Sequence, residues 1–237
     1  MKKFIFDVDG TLTPARQNIR DEFLPFFYDF VLHNEVYLVT GSDRDKTIKQ
    51  ISPGIYNNCK RVYNCSGSDV YEGDLSVYRD EWELPIDVEQ QLKLELCNSA
   101  FPIRNGNHIE RRPGGVNFTI MGRGDNTVSL LERQAYVDFD KKTNERKNMA
   151  ERLRNMFPNL EVQIGGQTGL DLGPIGNNKS QIMRDFKDQS DIIFFGDMME
   201  EGEIDYDIAV AVEKQGGKAY SVTDWEDTRQ KLIGLQH

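Results

Sequence analysis

Two aspartates near the start of the chain have a spacing that suits phosphoryl chemistry. Asp7 and Asp9 stand two residues apart in the stretch FDVDGTLT, directly after the short apolar segment 3–6. Open α/β sheets bind their ligands at the carboxyl ends of such strands. One carboxylate can attack phosphorus while the other moves a proton, and a hard cation can neutralise the phosphate oxygens. Taken alone, the motif is also compatible with an ordinary surface turn.

Polar groups that suit the same chemistry follow further along the chain. Thr40 and Ser42 come directly after the apolar segment 35–39 and offer hydroxyl and amide donors to a phosphoryl group. Lys179 begins a predicted helix. Its ammonium is suited to pair with Asp7 and with the phosphoryl group that is transferred, because opposite charges attract strongly where water is excluded.

A second pair of carboxylates comes late in the chain. Asp197 ends the apolar segment 192–195, and Asp205 follows it. Carboxylate oxygens are the ligands that Mg²⁺ takes in proteins. Each of these features is weak alone, but their order along the chain predicts a magnesium-dependent phosphoryl-transfer site in which Asp7 is the nucleophile.

Alternating strands and helices must position these groups. Apolar runs and helical spacing predict a βαβαβ order at the start of the chain. This order implies a parallel, doubly wound sheet with right-handed crossovers. The predicted strands are 3–6, 35–39, 61–63, 192–195 and 218–222, and the predicted helices are 19–33, 43–51, 179–186 and 208–215.

The alternation of strands and helices stops in the middle of the chain. Strand-like stretches with turn residues occupy 101–123 and 160–172, and a long charged helix is predicted at 130–156 between them. The sequence therefore predicts an α/β core made of residues 1–81 and 174–237, with an inserted α+β domain at 82–173. No internal repeat is visible.

Composition narrows the class of protein. The chain has 237 residues and a formal net charge of −10, which argues against nucleic acid as a partner because phosphate backbones attract basic surfaces. No apolar run approaches the roughly 18–20 residues of a membrane helix, and the start of the chain turns acidic too early for a signal peptide. The three cysteines show no metal-ligand spacing. We therefore expect free thiols in a reducing, cytoplasmic protein with no membrane partner.

The order of the motifs resembles that of the haloacid dehalogenase superfamily, and nearly the whole chain resembles the eukaryotic-type phosphomannomutases within it. The opening FDVDGTLTPARQNI is similar to the first motif of that family. The stretch IERRPGGVN, which continues to a Gly-Arg pair, resembles the family's IEFRNGxLNVSPxGR segment without a gap. Further similarities are ER…FDKK at 132–142, GGQ at 165–167 with Asp171, FGD at 195–197 and YSV…EDT at 220–228.

The resemblance implies roles for individual residues. Asp7 is the expected nucleophile and Asp9 the expected general acid and base. Magnesium is expected on Asp7, Asp197 and the carbonyl oxygen of Asp9, with Asp205 as a further candidate ligand. Guanidinium groups suit a hexose bisphosphate, because they bind dianionic phosphates as bidentate forks. The expected substrate-binding residues are Arg16, Arg112, Arg123, Arg133 and Asp171.

The resemblance also implies an activity. The expected reaction interconverts hexose 1-phosphate and hexose 6-phosphate, with mannose favoured, in GDP-mannose biosynthesis. A hexose 1,6-bisphosphate would recharge the nucleophile, and the inserted domain would act as a substrate-binding cap and as the contact of a homodimer. Two alternatives stay open: a phosphatase in which water is the acceptor, and a pseudoenzyme that senses sugar phosphates. The pseudoenzyme is less favoured, because a sensor has no need to keep a nucleophile and a proton shuttle together.

Three stretches depart from the family pattern. Gly169 stands where the family's GGQxSFD motif has serine, and residues 65–67 read CSG where the family has ENG. After Asp197 the chain reads MMEEGEID in place of a Gly-Gly-Asn-Asp type of loop. These changes leave the predicted phosphoryl chemistry intact, and they affect sugar specificity and the balance between mutase and phosphatase.

Overall fold

The computed structural model describes residues 2–124 and 128–235 of the chain. They form two compact units, the smaller made of Glu81–Asn177 and the larger of the segments before and after it. In chain order the strands are β1 (Lys3–Phe6), β2 (Glu35–Val39), β3 (Arg61–Asn64), β4 (Asp69–Glu72), β5 (Leu75–Arg79), β6 (Asn107–Arg112), β7 (Gly115–Arg123), β8 (Leu160–Gly165), β9 (Gly169–Pro174), β10 (Ile192–Gly196) and β11 (Lys218–Ser221). The α-helices are α1 (Leu24–His33), α2 (Arg44–Ile51), α3 (Pro53–Asn58), α4 (Ile86–Asn98), α5 (Leu130–Thr143), α6 (Glu145–Met156), α7 (Tyr206–Lys214) and α8 (Trp225–Leu235). None of the described helices is long and apolar enough to cross a membrane.

The larger unit is built on one mostly parallel sheet. Its described strands lie in the order β11-β10-β1-β2-β3-β4-β5. β1 pairs in parallel with β10 on one side and with β2 on the other, and β11 and β3 extend this parallel part. The carboxyl ends of β10, β1 and β2 therefore meet at one edge of the sheet. The predicted parallel α/β core is confirmed, and the antiparallel strands β4 and β5 extend it beyond the prediction.

Both faces of this sheet are buried in hydrophobic clusters. Phe4 and Phe6 of β1 belong to the cluster on one face, and Ile5 belongs to the cluster on the other. Phe6 is fully buried and stacks on Phe195 of β10, with 4.9 Å between the ring centroids. Strands that are covered on both faces read as continuous apolar runs. The central strands could be predicted from the sequence because each of them is such an apolar run.

Two predicted helices of the larger unit differ from the observed ones. The helix predicted at 19–33 starts only at Leu24, because Pro25 lies in its first turn. Proline has no N–H and a fixed φ, so it fits the first turn of a helix and disrupts the interior. The helix predicted at 179–186 is present, but it is a 3₁₀ helix over Lys179–Phe186.

The smaller unit is an antiparallel sheet that packs on helices. Its strands lie in the order β6-β7-β9-β8, and side chains of α4, α5 and α6 join those of the sheet in one hydrophobic cluster. The single long helix predicted at 130–156 is wrong, because α5 ends at Thr143 and the next residue, Asn144, adopts a left-handed conformation with φ of 55°. Asparagine accepts this conformation more readily than most residues. Helix α4 was not predicted.

Candidate functional site

Asp7 and Asp197 lie side by side at the carboxyl edge of the parallel sheet. Asp7 follows β1 and Asp197 follows β10, and these two strands are paired in register. Gly10 turns the chain after Asp7 with a φ of 93°. A β-carbon at Gly10 would overlap the carboxylate of Asp197. Glycine is therefore required here both by its backbone conformation and by the close approach of the second aspartate.

Lys179 joins two of the predicted site residues. Its Nζ lies 2.5 Å from Oδ1 of Asp7 and 2.6 Å from Oδ1 of Asp205. The lysine side chain is 1 % exposed, and the two carboxylates are 6 % and 0 % exposed. A buried ion pair needs such close geometry, because the loss of hydration is otherwise not offset. Lys179 and Asp205 are therefore part of the same buried ionic cluster as the predicted nucleophile.

The cluster carries more negative charge than the lysine can neutralise. Oxygen atoms of Asp7, Asp197 and Asp205 lie within 4.8 Å of one another. Burial, opposed by Lys179 and assisted by Asp205, raises the pKa of Asp7 to about 7. Burial together with Asp7 and Asp205 raises the pKa of Asp197 to about 9. Three oxygen ligands at this distance with an excess of negative charge fit a divalent cation such as Mg²⁺.

The carboxylate of Asp9 points into a different set of contacts. Its Oδ1 accepts hydrogen bonds from the backbone N–H of Arg16 at 2.5 Å and from Nε2 of Gln50 at 2.8 Å. Its Oδ2 accepts from Nζ of Lys46 at 2.9 Å and from Oγ of Ser42 at 3.3 Å. Burial alone would raise the pKa of Asp9, but the Lys46 ammonium and these hydrogen bonds outweigh burial and hold the pKa below its usual range. The carboxylate of Asp9 is not part of the acidic cluster around Lys179.

Two residues around Asp9 were missed by the sequence analysis. Lys46 and Gln50 stand four residues apart on α2, so they lie on the same face of that helix. Their position just after Ser42 was the available signal, since a helix that starts at this edge of the sheet must present one face to it. Nζ of Lys46 also lies 2.7 Å from Oγ of Ser42. Asp9 is therefore held by two segments of the chain, Arg16 and the stretch 42–50.

The segment around Thr40 and Ser42 is fixed by backbone contacts. The N–H of Ser42 donates to Oγ1 of Thr40 at 3.1 Å, and both residues are buried. The backbone N–H groups of Cys65 and Ser66 donate to the carbonyl oxygens of Ser42 and Thr40, at 2.9 and 2.8 Å. The CSG stretch that departs from the family pattern thus braces the predicted phosphoryl-binding segment.

Three predicted substrate-binding residues come together on the sheet of the smaller unit. Glu110 lies between Arg112 and Arg123, with its two carboxylate oxygens 3.1 and 3.5 Å from their guanidinium groups. Arg112 also lies 3.8 Å from Oδ1 of Asp171. The side chains of Arg112 and Arg123 are only 9 % and 13 % exposed. These arginines are held in a polar network and are not freely solvated surface charges.

The other two predicted arginines lie elsewhere. Arg133 belongs to α5, is 6 % exposed, and donates to Oγ1 of Thr168 at 3.4 Å. Thr168 precedes β9, the strand that carries Asp171. Arg16 belongs to the larger unit, where its backbone N–H donates to Asp9 and its φ is 57°.

Comparison with known proteins gives consistent sequence matches over nearly the whole chain. A sequence model described as eukaryotic phosphomannomutase matches residues 26–236. A phosphomannomutase of Arabidopsis thaliana is 32 % identical over 241 residues, which cover 98 % of this chain and 95 % of that protein. A probable phosphomannomutase of Caenorhabditis elegans is 33 % identical over 244 residues, which cover 96 % and 92 %.

Solved structures match the fold of the chain. A haloacid dehalogenase-like hydrolase from Bacteroides thetaiotaomicron superposes with a TM-score of 0.60 at 14 % identity, over 100 % of this chain and 99 % of that one. The IMP-nucleotidase of Plasmodium falciparum superposes with a TM-score of 0.65 at 14 % identity, over 100 % of this chain and 68 % of that one. At this identity the similarity shows the fold alone.

Proposed function

Because this chain belongs to the eukaryotic phosphomannomutase family, we propose that it interconverts hexose 1-phosphate and hexose 6-phosphate through an aspartyl phosphate on Asp7. Mannose phosphate is the favoured substrate, as the names of the relatives indicate. The observation that carries the proposal is the buried contact of Lys179 with Asp7 and Asp205 beside Asp197. It supports Asp7 as the residue that receives the phosphoryl group.

In the first half-reaction Asp7 acts as nucleophile. A carboxylate oxygen of Asp7 forms a bond to the phosphorus of a hexose 1,6-bisphosphate, and the bond from that phosphorus to the sugar oxygen breaks. Asp9, protonated in this step, gives its proton to the sugar oxygen as that oxygen leaves. Lys179 lies against Asp7 and offsets part of the negative charge that gathers there. The carboxylates of Asp7, Asp197 and Asp205, with the carbonyl of Asp9, would hold Mg²⁺, which neutralises phosphate oxygens when bound.

In the second half-reaction Asp9 handles the proton. A hydroxyl of the bound hexose monophosphate attacks the aspartyl phosphate, and its proton passes to the carboxylate of Asp9 as Asp7 leaves. The contacts from Lys46, Gln50 and Arg16 keep Asp9 ionised and therefore able to accept that proton. Thr40 and Ser42 offer hydroxyl and amide donors to the phosphoryl group. The hexose bisphosphate that results must turn round before it returns a phosphoryl group to Asp7.

The smaller unit, predicted as a cap at 82–173, serves in this proposal to bind the sugar phosphate and to keep water from the aspartyl phosphate. Arg112, Arg123 and Arg133 bind the phosphate that is not being transferred, and Arg16 and Asp171 contact the substrate as well. Bidentate guanidinium groups suit a dianion. A hexose 1,6-bisphosphate as activator, a homodimer formed through this unit and a cytoplasmic location are further predictions of the family resemblance.

One assay separates this function from hydrolysis. Mannose 1-phosphate is incubated with the enzyme, with and without Mg²⁺ and a hexose 1,6-bisphosphate, and mannose 6-phosphate and free phosphate are measured in the same tube. We expect isomer formation that needs Mg²⁺, is stimulated by the bisphosphate and releases little phosphate. Asp7→Asn is the control for contaminating activity. Phosphate that appears as fast as substrate disappears, with no effect of the bisphosphate, would show a phosphatase instead.

A further inference from the structure

Two side-chain oxygen atoms in the described sheet of the smaller unit are buried without a hydrogen-bond partner. In the described part of the chain, Oδ1 of Asn117 and Oγ1 of Thr119 are buried and accept or donate no hydrogen bond. The two residues are 2 % and 1 % exposed. They stand two positions apart on β7, so both side chains lie on the same face of the sheet. A buried polar group without a partner is costly and calls for an explanation, such as a ligand.

The orientation of the Asn117 amide is fixed by its neighbour. Nδ2 of Asn117 donates to Oδ1 of Asp171 at 2.5 Å. A carboxylate accepts hydrogen bonds, so the nitrogen of the amide must face Asp171 and the oxygen must face away from it. The unpartnered atom of Asn117 is therefore an acceptor, and it is held in place by a predicted substrate-binding residue.

Two facing glycines make room for the paired side chains of Asn117 and Asp171, since a β-carbon at Gly165 would overlap the carboxylate of Asp171. Gly165 of β8 and Gly169 of β9 are paired, so neither strand places a side chain at this position of the face. A β-carbon at Gly169 would lie 2.9 Å from Oδ1 of Asn117 and 3.1 Å from a terminal nitrogen of Arg123. The amide therefore lies directly against Gly169, the position at which the family's GGQxSFD motif has a serine.

Oδ1 of Asn117 is a hydrogen-bond acceptor, so its ligand must be a hydrogen-bond donor. Phosphate oxygens carry negative charge and repel an amide oxygen, while the neighbouring Arg112 and Arg123 are suited to attract them. A hydroxyl group of a sugar ring can donate to the amide oxygen. Thr119, whose hydroxyl both donates and accepts, lies on the same face and suits a second hydroxyl or the ring oxygen.

We propose that Oδ1 of Asn117 accepts a hydrogen bond from one hydroxyl group of the hexose ring. In the same subsite, the hydroxyl of Thr119 makes a second hydrogen bond with the sugar. The proposal rests on the proposed function, since it assigns a sugar phosphate to this face. It makes Asn117 a determinant of sugar specificity, next to Gly169, the position at which this chain differs from the family motif.

The test compares variants on a hexose 1-phosphate and on its 2-, 3- and 4-deoxy analogues. Asn117→Ala should lower kcat/KM for the parent sugar by about twofold to tenfold, which is the effect of losing a hydrogen bond to a neutral group. Wild-type enzyme and Asn117→Ala should have the same kcat/KM on the one analogue that lacks the hydroxyl bound by Asn117. Asn148→Ala makes the same chemical change at an exposed position of α6 and should change none of the four values.

Two further variants keep the proposal testable if Asn117→Ala folds poorly. Thr119→Val keeps the shape of the side chain and should weaken the response to a different analogue. Gly169→Ala puts a methyl group into the space of the amide and should reproduce the specificity pattern of Asn117→Ala. The double variant should behave like the single ones, because the two changes remove the same contact.

Several outcomes would overturn the proposal. An equal loss on all four substrates would mean that Asn117 only maintains the structure, and no loss on any would mean that its oxygen binds water. If the effects of Gly169→Ala and Asn117→Ala on kcat/KM add in the double variant, the two changes do not remove the same contact with the sugar. If the wild-type enzyme releases phosphate and forms no isomer, the proposed function fails, but the same series can be measured by hydrolysis and still tests the subsite.

Discussion

Replacement of Lys179 by methionine tests whether its ammonium compensates the acidic cluster. Methionine keeps the length of the side chain and removes the charge that lies 2.5 Å from Asp7 and 2.6 Å from Asp205. All three side chains are almost fully buried, so water cannot replace the lost partner. Asp197, which shares the cluster, also loses a nearby positive charge.

The expected magnitude follows from burial. Removal of one partner of a buried ion pair costs about 3–5 kcal/mol of the free energy of unfolding. In a chain of this size each kcal/mol shifts the melting temperature by about 2–4 °C. The metal-free Lys179→Met variant should therefore melt about 6–20 °C below the wild-type protein. Mg²⁺ should recover part of the loss, because it compensates the same carboxylates.

Lys231→Met is the matched control. Lys231 pairs with Asp227 one turn away on α8, and the two side chains are 33 % and 28 % exposed. Such a surface pair contributes about 0–1 kcal/mol, so the control should melt within about 4 °C of the wild-type protein. Both variants are measured by thermal unfolding at neutral pH with a chelator and with Mg²⁺. Equal melting temperatures of the two variants would refute the view that Lys179 compensates the cluster.

Three further predictions concern the same residues. Asp7→Asn should abolish isomerisation without lowering the melting temperature of the metal-free protein, since it removes a charge from the crowded cluster; residual activity within tenfold of wild type would contradict its assignment as nucleophile. Arg112→Ala should lower kcat/KM for a hexose phosphate by about tenfold to a thousandfold, the effect of losing a charge-assisted bond, and should affect para-nitrophenyl phosphate far less; equal losses on both would indicate a structural role. The metal-free protein should lose stability as pH rises from about 4 to about 9, because Asp7 and Asp197 have folded-state pKa values of about 7 and about 9 and bind protons that the unfolded chain has released; urea unfolding across this range should show the fall, and a flat profile would contradict it.

The parts of the fold that could not be read from the sequence have identifiable reasons. Helix α4 was missed because the buried stripe of Val88 and Leu92 continues with Glu95, whose carboxylate lies 2.6 Å from Arg152. A charged residue in a core position breaks the apolar period that identifies a helix. Strand β5 was missed because it has only five residues and all of them are exposed, so no buried apolar run marks it in the sequence.

The family resemblance and the parallel core were correct, because both depend on local patterns. A strand that is buried on both faces must be apolar along its length, and the polar residues that follow it must lie at the carboxyl edge of the sheet. Asp7, Thr40 and Asp197 were found by this rule. Their neighbours on the sheet did not have to be known.

The sequence by itself therefore determined which residue types stand at the ends of the strands, and with them the class of chemistry. Only the tertiary structure decided which groups touch. Lys179 was expected to pair with Asp7, but its contact with Asp205, 26 positions further along the chain, was not. Asp9 turns away from that cluster toward Lys46 and Gln50. Contacts between such distant residues depend on the packing of strands and helices, and no local pattern of amino acids encodes the direction in which a single side chain points.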